Sequence, residues 1–223
     1  MEYRLQFREV WNNFDLLLWG AAYSLILCIL AGIVGLALGI IAAETRRTGP
    51  GWARMLVADY VEAIRNTPFI VQLFFLFFGL SSAGLRLSPE AAAAIALTVN
   101  IGAYFCEIVR AGLEAIPRGQ IEAARALGLR DWRIFRAIVL PPALSQAYPA
   151  LTSQFVLVFL GSAVISQISA PDLTFQAQFL QSRTFRAFEI YFVVTGMYVA
   201  MALGFKLLFA QAERRLFPWK GVR

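Results

Sequence analysis

The chain has 223 residues, 59% of them hydrophobic, a net charge of +6 and no histidine; its mean hydropathy is +0.65. Soluble domains hold roughly 45–50% apolar residues, and several runs here exceed the ~20 residues that cross ~30 Å of hydrocarbon, so a water-soluble fold is excluded. The predicted fold is all-α: a single polytopic membrane domain over residues 1–223, with about five transmembrane helices and an N-terminal interfacial helix. The basic residues lie in loops between apolar runs, where they set orientation in a membrane and give no reason to expect a nucleic-acid partner. Without histidine the commonest general base and metal ligand is missing. Cys28 and Cys106 sit inside apolar runs, with neither metal-ligand nor disulfide spacing. No G-x-x-x-x-G-K-[ST] phosphate loop is present, so any ATP must be bound by another chain.

Met1 to Asp15 carries both signs of charge, with Phe7, Val10, Trp11 and Phe14 at helical spacing. This predicts an amphipathic helix at the outer interface, Trp11 at headgroup level. Its basic start is weak and the following run too long for a cleavable signal peptide. Leu16 to Ala43 is the first span; Gly35 and Gly39, with Ala31 and Gly32 a turn before, form a small-residue track for close packing within the chain or for a dimer face. Glu44 to Met55 is a basic turn. Leu56 to Leu80 is the second span, polar at first (Asp59, Glu62, Arg65, Asn66, Thr67). Pro68 then kinks it or marks its true membrane start. Glu62 and Arg65 are spaced to pair.

Pro89 to Val109 is the third span, with Asn100 and Tyr104 on one face and Glu107 spaced to pair with Arg110. Pro142 to Ile165 is the fourth. In the outer segment Ser166 to Arg186, Pro171 and Asp172 make a turn and Thr174 to Gln181 a short helix. Phe188 to Ala210 is the fifth span, followed by the basic tail Arg214, Arg215, Lys220 and Arg223.

Between the third and fourth spans runs IPRGQIEAARALGLRDWRIFRAIVLPP, Ile116 to Pro142. Pro117 opens a helix, Glu122, Ala123 and Ala124 continue it, and Gly128 ends it as a left-handed residue. Asp131 is placed to cap a second helix, Trp132 to Val139, and Pro141 with Pro142 to set a new direction. Arg118, Arg125, Arg130, Arg133 and Arg136 give the element a wet basic face.

Glu122, Ala123, Ala124, Gly128, Ile138, Leu140 and Pro141 fit the pattern E-A-A-x3-G-x9-I-x-L-P. The segment resembles the EAA loop of permease subunits of ATP-binding-cassette (ABC) importers. VEAIRNTPFIVQLFFLFFGL (Val61 to Leu80) and NIGAYFCEIVRAGLEAIPRGQIEAARALGL (Asn100 to Leu129) are similar to the polar amino acid uptake branch of that family. The resemblance spans nearly the whole chain. It implies a cytoplasmic coupling helix within 116–140, with Glu122, Ala123, Ala124, Leu127 and Gly128 docking on an ATPase subunit. It also implies a second permease subunit, a periplasmic solute-binding protein, and no cofactor on this chain.

Charge supports the topology independently. One side receives Arg46, Arg47, Arg54, the five loop arginines and the tail; the other receives Arg4, Arg8, Arg86, Arg183 and Arg186. The heavier side is cytoplasmic, which puts the N-terminus outside, the C-terminus inside, and the loop where an ATPase would be, in a bacterial inner membrane.

About five helices do not enclose a solute path alone. Buried polar groups in hydrocarbon face a cavity or a partner, so Gln72, Asn100, Tyr104, Gln154 and Ser162 are the candidates for the path, Asn100 foremost; the competing role for each is a helix–helix hydrogen bond. The amino acid branch usually reads L-K-D-T-S-L in the fourth span. Here Leu160 and Gly161 stand at the Lys and Asp positions, so this half has lost charges that could hold a zwitterion. Two explanations are open: a non-identical partner permease that keeps the pair, or a solute outside the usual set. Other classes are a self-sufficient channel or ion-coupled transporter, and a membrane enzyme. The first is disfavoured because Glu62, Arg65, Glu107 and Arg110 lie near one edge, away from the midplane. The second lacks any nucleophile–base pair.

Overall fold

The computed structural model describes residues Arg4 to Gly221, so Met1 to Tyr3 and the end of the basic tail at Arg223 lie outside the described residues. The helices are α1 (Arg8–Asn12), α2 (Phe14–Thr48), α3 (Gly51–Arg65), α4 (Phe69–Ser82), α5 (Pro89–Glu114), α6 (Arg118–Ala126), α7 (Asp131–Ile168), α8 (Leu173–Thr184) and α9 (Ala187–Leu216). Four of them, α2, α5, α7 and α9, are long and apolar enough to span a bilayer. The fifth span exists only if α3 and α4, bent by 110° at their junction, count as one. Pro68 therefore breaks the predicted second span sharply, because residue 67 is barred from the α region.

Helix α5 is the axis. Of its most apolar stretch 61% is buried, against 11% for α9. Its close partner is α2, and glycine is the reason. A Cβ on Gly35 would stand 2.2 Å from Ile101 Cγ2; one on Gly39 would meet Phe105 Cβ at 2.7 Å and the Cys106 backbone N at 3.0 Å. The track predicted from Gly35 and Gly39 is thus used within the chain. Cys28 and Cys106 are free and buried in the same core.

One end of the bundle is capped by α8 lying across α2 and α9, with Val10, Leu17, Leu173, Ala177 and Ile190 fully buried. Asp172 caps α8 by accepting from Phe175 N at 2.8 Å. Ser24 Oγ donates to Gly20 O and accepts from Leu173 N at 3.1 Å, tying the cap to α2. Glu189, fully buried, accepts from Gln6 N at 2.9 Å and lies 3.6 Å from Arg186. The N-terminal helix is shorter than the Met1 to Asp15 segment, spanning Arg8–Asn12. The helix is a single turn, the chain bends at Asn13, and Val10 packs inward while Trp11 stays 61% exposed.

Two further expectations are corrected at α7. Asp131 does not cap it; Arg130 takes the cap position and no side chain bonds there. Pro141 and Pro142 do not turn the chain. Phe135–Val139 widens to a π-helical turn, with Leu140 N bonding Phe135 O, and α-helix resumes over Leu140–Gly161. The wider turn spares a proline ring its clash with a carbonyl one turn back. Both prolines then sit in a first turn, where a missing N–H costs little. The last seven residues, Ser162–Ile168, tighten to a 3₁₀ helix ending at Ser169, φ 64°.

Candidate functional site

The end of the bundle away from α8 carries the corner predicted at 116–140. Gly128 has φ +75°, which Leu or Ala would adopt only under strain. Gly128 N bonds Arg125 O at 2.9 Å and Leu129 N bonds Ala124 O at 3.2 Å. Those paired bonds are a Schellman end, which satisfies the last carbonyls of α6. Within α6 only Ala124 is buried; Glu122 and Ala123 are exposed, and Leu127 just past it is 81% exposed. All five arginines of the segment are exposed. Asp131, freed from capping, meets Arg125 Nε at 3.2 Å across the corner. Both groups are mostly in water, so this pair adds little to stability. A cavity of about 470 Å³ opens beside the corner, bounded by Arg47 at the end of α2, Arg125, Asp131 and Trp132. Trp132 is 66% exposed. The element is a solvent-facing surface with an exposed apolar knob and a basic rim.

Behind it lies a polar strip along one face of α5. Glu107 gathers three guanidinium groups: Arg46 from α2, Arg65 from α3 at 3.7 Å, and Arg110 from α5 at 2.9 Å. The expected Glu107–Arg110 pair is present. Arg65 turns to Glu107 instead of the expected Glu62, and lies over the Tyr104 ring, 5.7 Å from its centre. Nothing local in the sequence announces Arg46, 61 positions from its partner.

Farther along the strip, Asn100 Nδ2 donates to Gln72 Oε1 at 2.9 Å. Gln72 Nε2 donates to Ile64 O at 2.7 Å, Thr67 O at 3.1 Å and Thr67 Oγ1 at 2.8 Å. One amide therefore spans the α3–α4 bend and fastens it to α5. The structure brings Gln72, Asn100 and Tyr104 together around this bend. Gln154 and Ser162 are apart from them on α7. Ser162 is 1% exposed and its hydroxyl donates to Phe159 O at 2.7 Å. Gln154 is half-buried, while Leu160 and Gly161 are exposed.

The sequence did not single out Asp172 beyond its turn. Its Oδ2 and Tyr23 Oη are buried without a hydrogen-bond partner among the described residues. Burial pushes the carboxyl up from its ordinary value to about 7, opposed by the Phe175 N–H.

Residues 35–218 match the family described as binding-protein-dependent transport system inner membrane component. The chain is 34% identical to the glutamine transport system permease protein GlnP of Escherichia coli K12, over 93% of this chain and 95% of GlnP. It is 35% identical to the octopine transport system permease protein OccM of Rhizobium meliloti, over 94% of this chain and 89% of OccM. A crystal structure of an amino acid ABC transporter with histidines superposes with a TM-score of 0.86 at 34% identity, covering 96% of this chain and 100% of that one.

Proposed function

The chain belongs to the family of binding-protein-dependent transport system inner membrane components, and from that we propose that it is one of two permease subunits of an ATP-driven importer. The solute is a polar amino acid or a related small zwitterion, delivered by a periplasmic binding protein. Relatives named for glutamine and octopine support the class. The N-terminus and α8 face the periplasm, and α6 with the C-terminus faces the cytoplasm, as the arginine count requires.

The observation that carries the reading is the glycine-ended corner with Leu127 and Glu122 held out of the protein. A chain without a phosphate loop needs an external motor, and this surface is shaped for one. ATP binding closes two ATPase subunits, each pulls on a corner, and the spans rock to expose the path. Glu122, Ala123, Ala124, Leu127 and Gly128 make the contact. The path runs along the strip of Gln72, Asn100 and Tyr104, with Gln154 and Ser162 contributed by α7.

Helix α9 supports a second permease. Gly196 and Gly204 on it face open space, and little of the helix is buried. Because Leu160 and Gly161 replace a charged pair, the partner is a non-identical chain that supplies it. A purified amino acid transporter containing two copies of this chain and no other permease would refute the asymmetry. Coupling is tested with Gly128→Pro and Glu122→Lys in membrane vesicles. Both are expected to insert normally and hydrolyse ATP while uptake falls at least ~10-fold, the scale of ~1.4 kcal/mol. Normal uptake in both would remove the coupling claim.

A further inference from the structure

Between Glu189 and Glu213, helix α9 holds a single charge, Lys206. Along the axis it stands ~12 Å short of Arg214, well within the apolar length of the span. A lysine set in hydrocarbon is costly, and such residues face a cavity or an opposite charge. Lys206 is exposed and forms no hydrogen bond or ion pair among the described residues. With Thr152, Ser153 and Val156 of α7, and with Phe209 and Glu213 of its own helix, it lines a cavity of about 220 Å³. Thr152 Oγ1 donates to Pro149 O at 3.1 Å. The Ser153 hydroxyl is exposed and forms no hydrogen bond among the described residues. One ammonium and one hydroxyl are thus left to donate into the same space.

Ser153 belongs to an exposed face of α7 that runs from Gln146 through Ala150 to Leu157 and Leu160. These residues recur three or four apart, so they form one continuous surface. The helix carries no charge from Leu140 to Gly161, which leaves Lys206 as the cation beside this face. On its other flank, Gln146 and Ala150 share a second cavity with Glu107 of the polar strip. The face of α7 therefore joins Lys206 to the strip along which the solute is proposed to move.

We propose that Lys206 and Ser153 form a binding site for the carboxylate of the solute as it passes along α7. The site rests on the transport reading and names the group that this chain grips. A lipid tail in the cavity would leave the ammonium in oil without a partner. A lipid phosphate rests at headgroup level, ~12 Å away near the terminal arginines. A carboxylate accepts from both donors, and hydrogen bonds between ionised partners are about twice as strong as neutral ones.

The test uses the transporter purified through a tag on the full-length chain. In equilibrium dialysis without a binding protein, it is expected to retain a radiolabelled mixture of the common L-amino acids. Their α-amides should be retained ~10-fold less. Lys206→Met should lower retention of the acids to the level of the amides and leave the amides unchanged. That variant removes a charge from the span, so it inserts at least as readily. Lys206→Arg should keep the preference for the acids. Equal retention of acids and amides by the unaltered protein overturns the proposal, as does a preference that survives Lys206→Met. A second permease cross-linked by a photoreactive residue in place of Ser153 overturns it too, because a protein side chain then fills the site. Uptake into vesicles separates the two failures. No uptake of the mixture by the unaltered protein refutes the transport reading, whereas normal uptake by Lys206→Met refutes this site alone.

Discussion

The two ends of this molecule are built by opposite means. The α8 cap is sealed: Leu17, Leu173, Ile190 and the carboxylate of Glu189 are all fully buried, and α1, α2, α8 and α9 close on one another. The Gly128 corner is open: α6 buries one alanine, and two backbone bonds and a water-exposed ion pair give it shape. Stability resides where surface is removed from water. An element that opens and closes contacts with a partner belongs among the weakly packed ones. The cap is therefore the anchor and the corner the handle.

The largest expected effect is on the cap. Glu189→Ala removes the buried acceptor of the Gln6 N–H and the carboxylate 3.6 Å from Arg186, and should cost ~3–5 kcal/mol, read as a lower unfolding temperature of the purified transporter. An unchanged unfolding temperature would break the contrast at its stronger side. Asp172 sharpens the same point through pH. Its folded pKa of about 7 lies above the ordinary 3.8. Below pH ~4 both folded and unfolded chains hold the proton. Between ~4 and ~7 only the folded chain does, so its contribution is lost as pH rises and is gone above ~7. The loss amounts to ~4 kcal/mol. Asp172→Asn keeps the helix cap, and the difference in stability between it and the unaltered protein should trace that fall.

The corner should respond differently. Gly128→Ala forces a side chain into a left-handed position at ~1–2 kcal/mol, with space around it. Uptake should drop while global unfolding barely moves. If both fall together, the corner belongs to the cooperative core. The smallest effect is at the bend. Gln72→Ala and Asn100→Ala in a double-mutant cycle should show a coupling of ~1 kcal/mol. A coupling near zero would mean that the amide holds only its own helix pair.

Legibility follows the range of the forces. The Gly128 corner could be read because a left-handed glycine after a run of helix formers is a local signal. That α2 packs closely could be read because Gly35 and Gly39 recur on one face; that α5 is what they pack against could not. Pro141 and Pro142 misled because their usual effect was assumed to act on an α-helix, whereas the preceding turn widened to absorb them. Asp131 looked like a cap by spacing, but Arg125, brought near by the corner itself, claims it. The Arg46, Arg65 and Arg110 knot on Glu107 was half legible: the partner one turn away was foreseen, those on α2 and α3 were not. The path candidates stand out as polar residues in apolar runs, yet only packing reveals that Gln72 spends its amide on a bend.

Helix α2 has 35 residues, a rod of ~52 Å set in ~30 Å of oil. Trp19 is exposed near its outer end. Some ~20 residues from there complete the crossing, so Arg46 and Arg47 protrude about 10 Å past the oil if the rod stands upright. Standing so, the pillar would lift the neighbouring corner clear of the lipid headgroups, where the proposed ATPase would reach it without first pushing the bilayer aside.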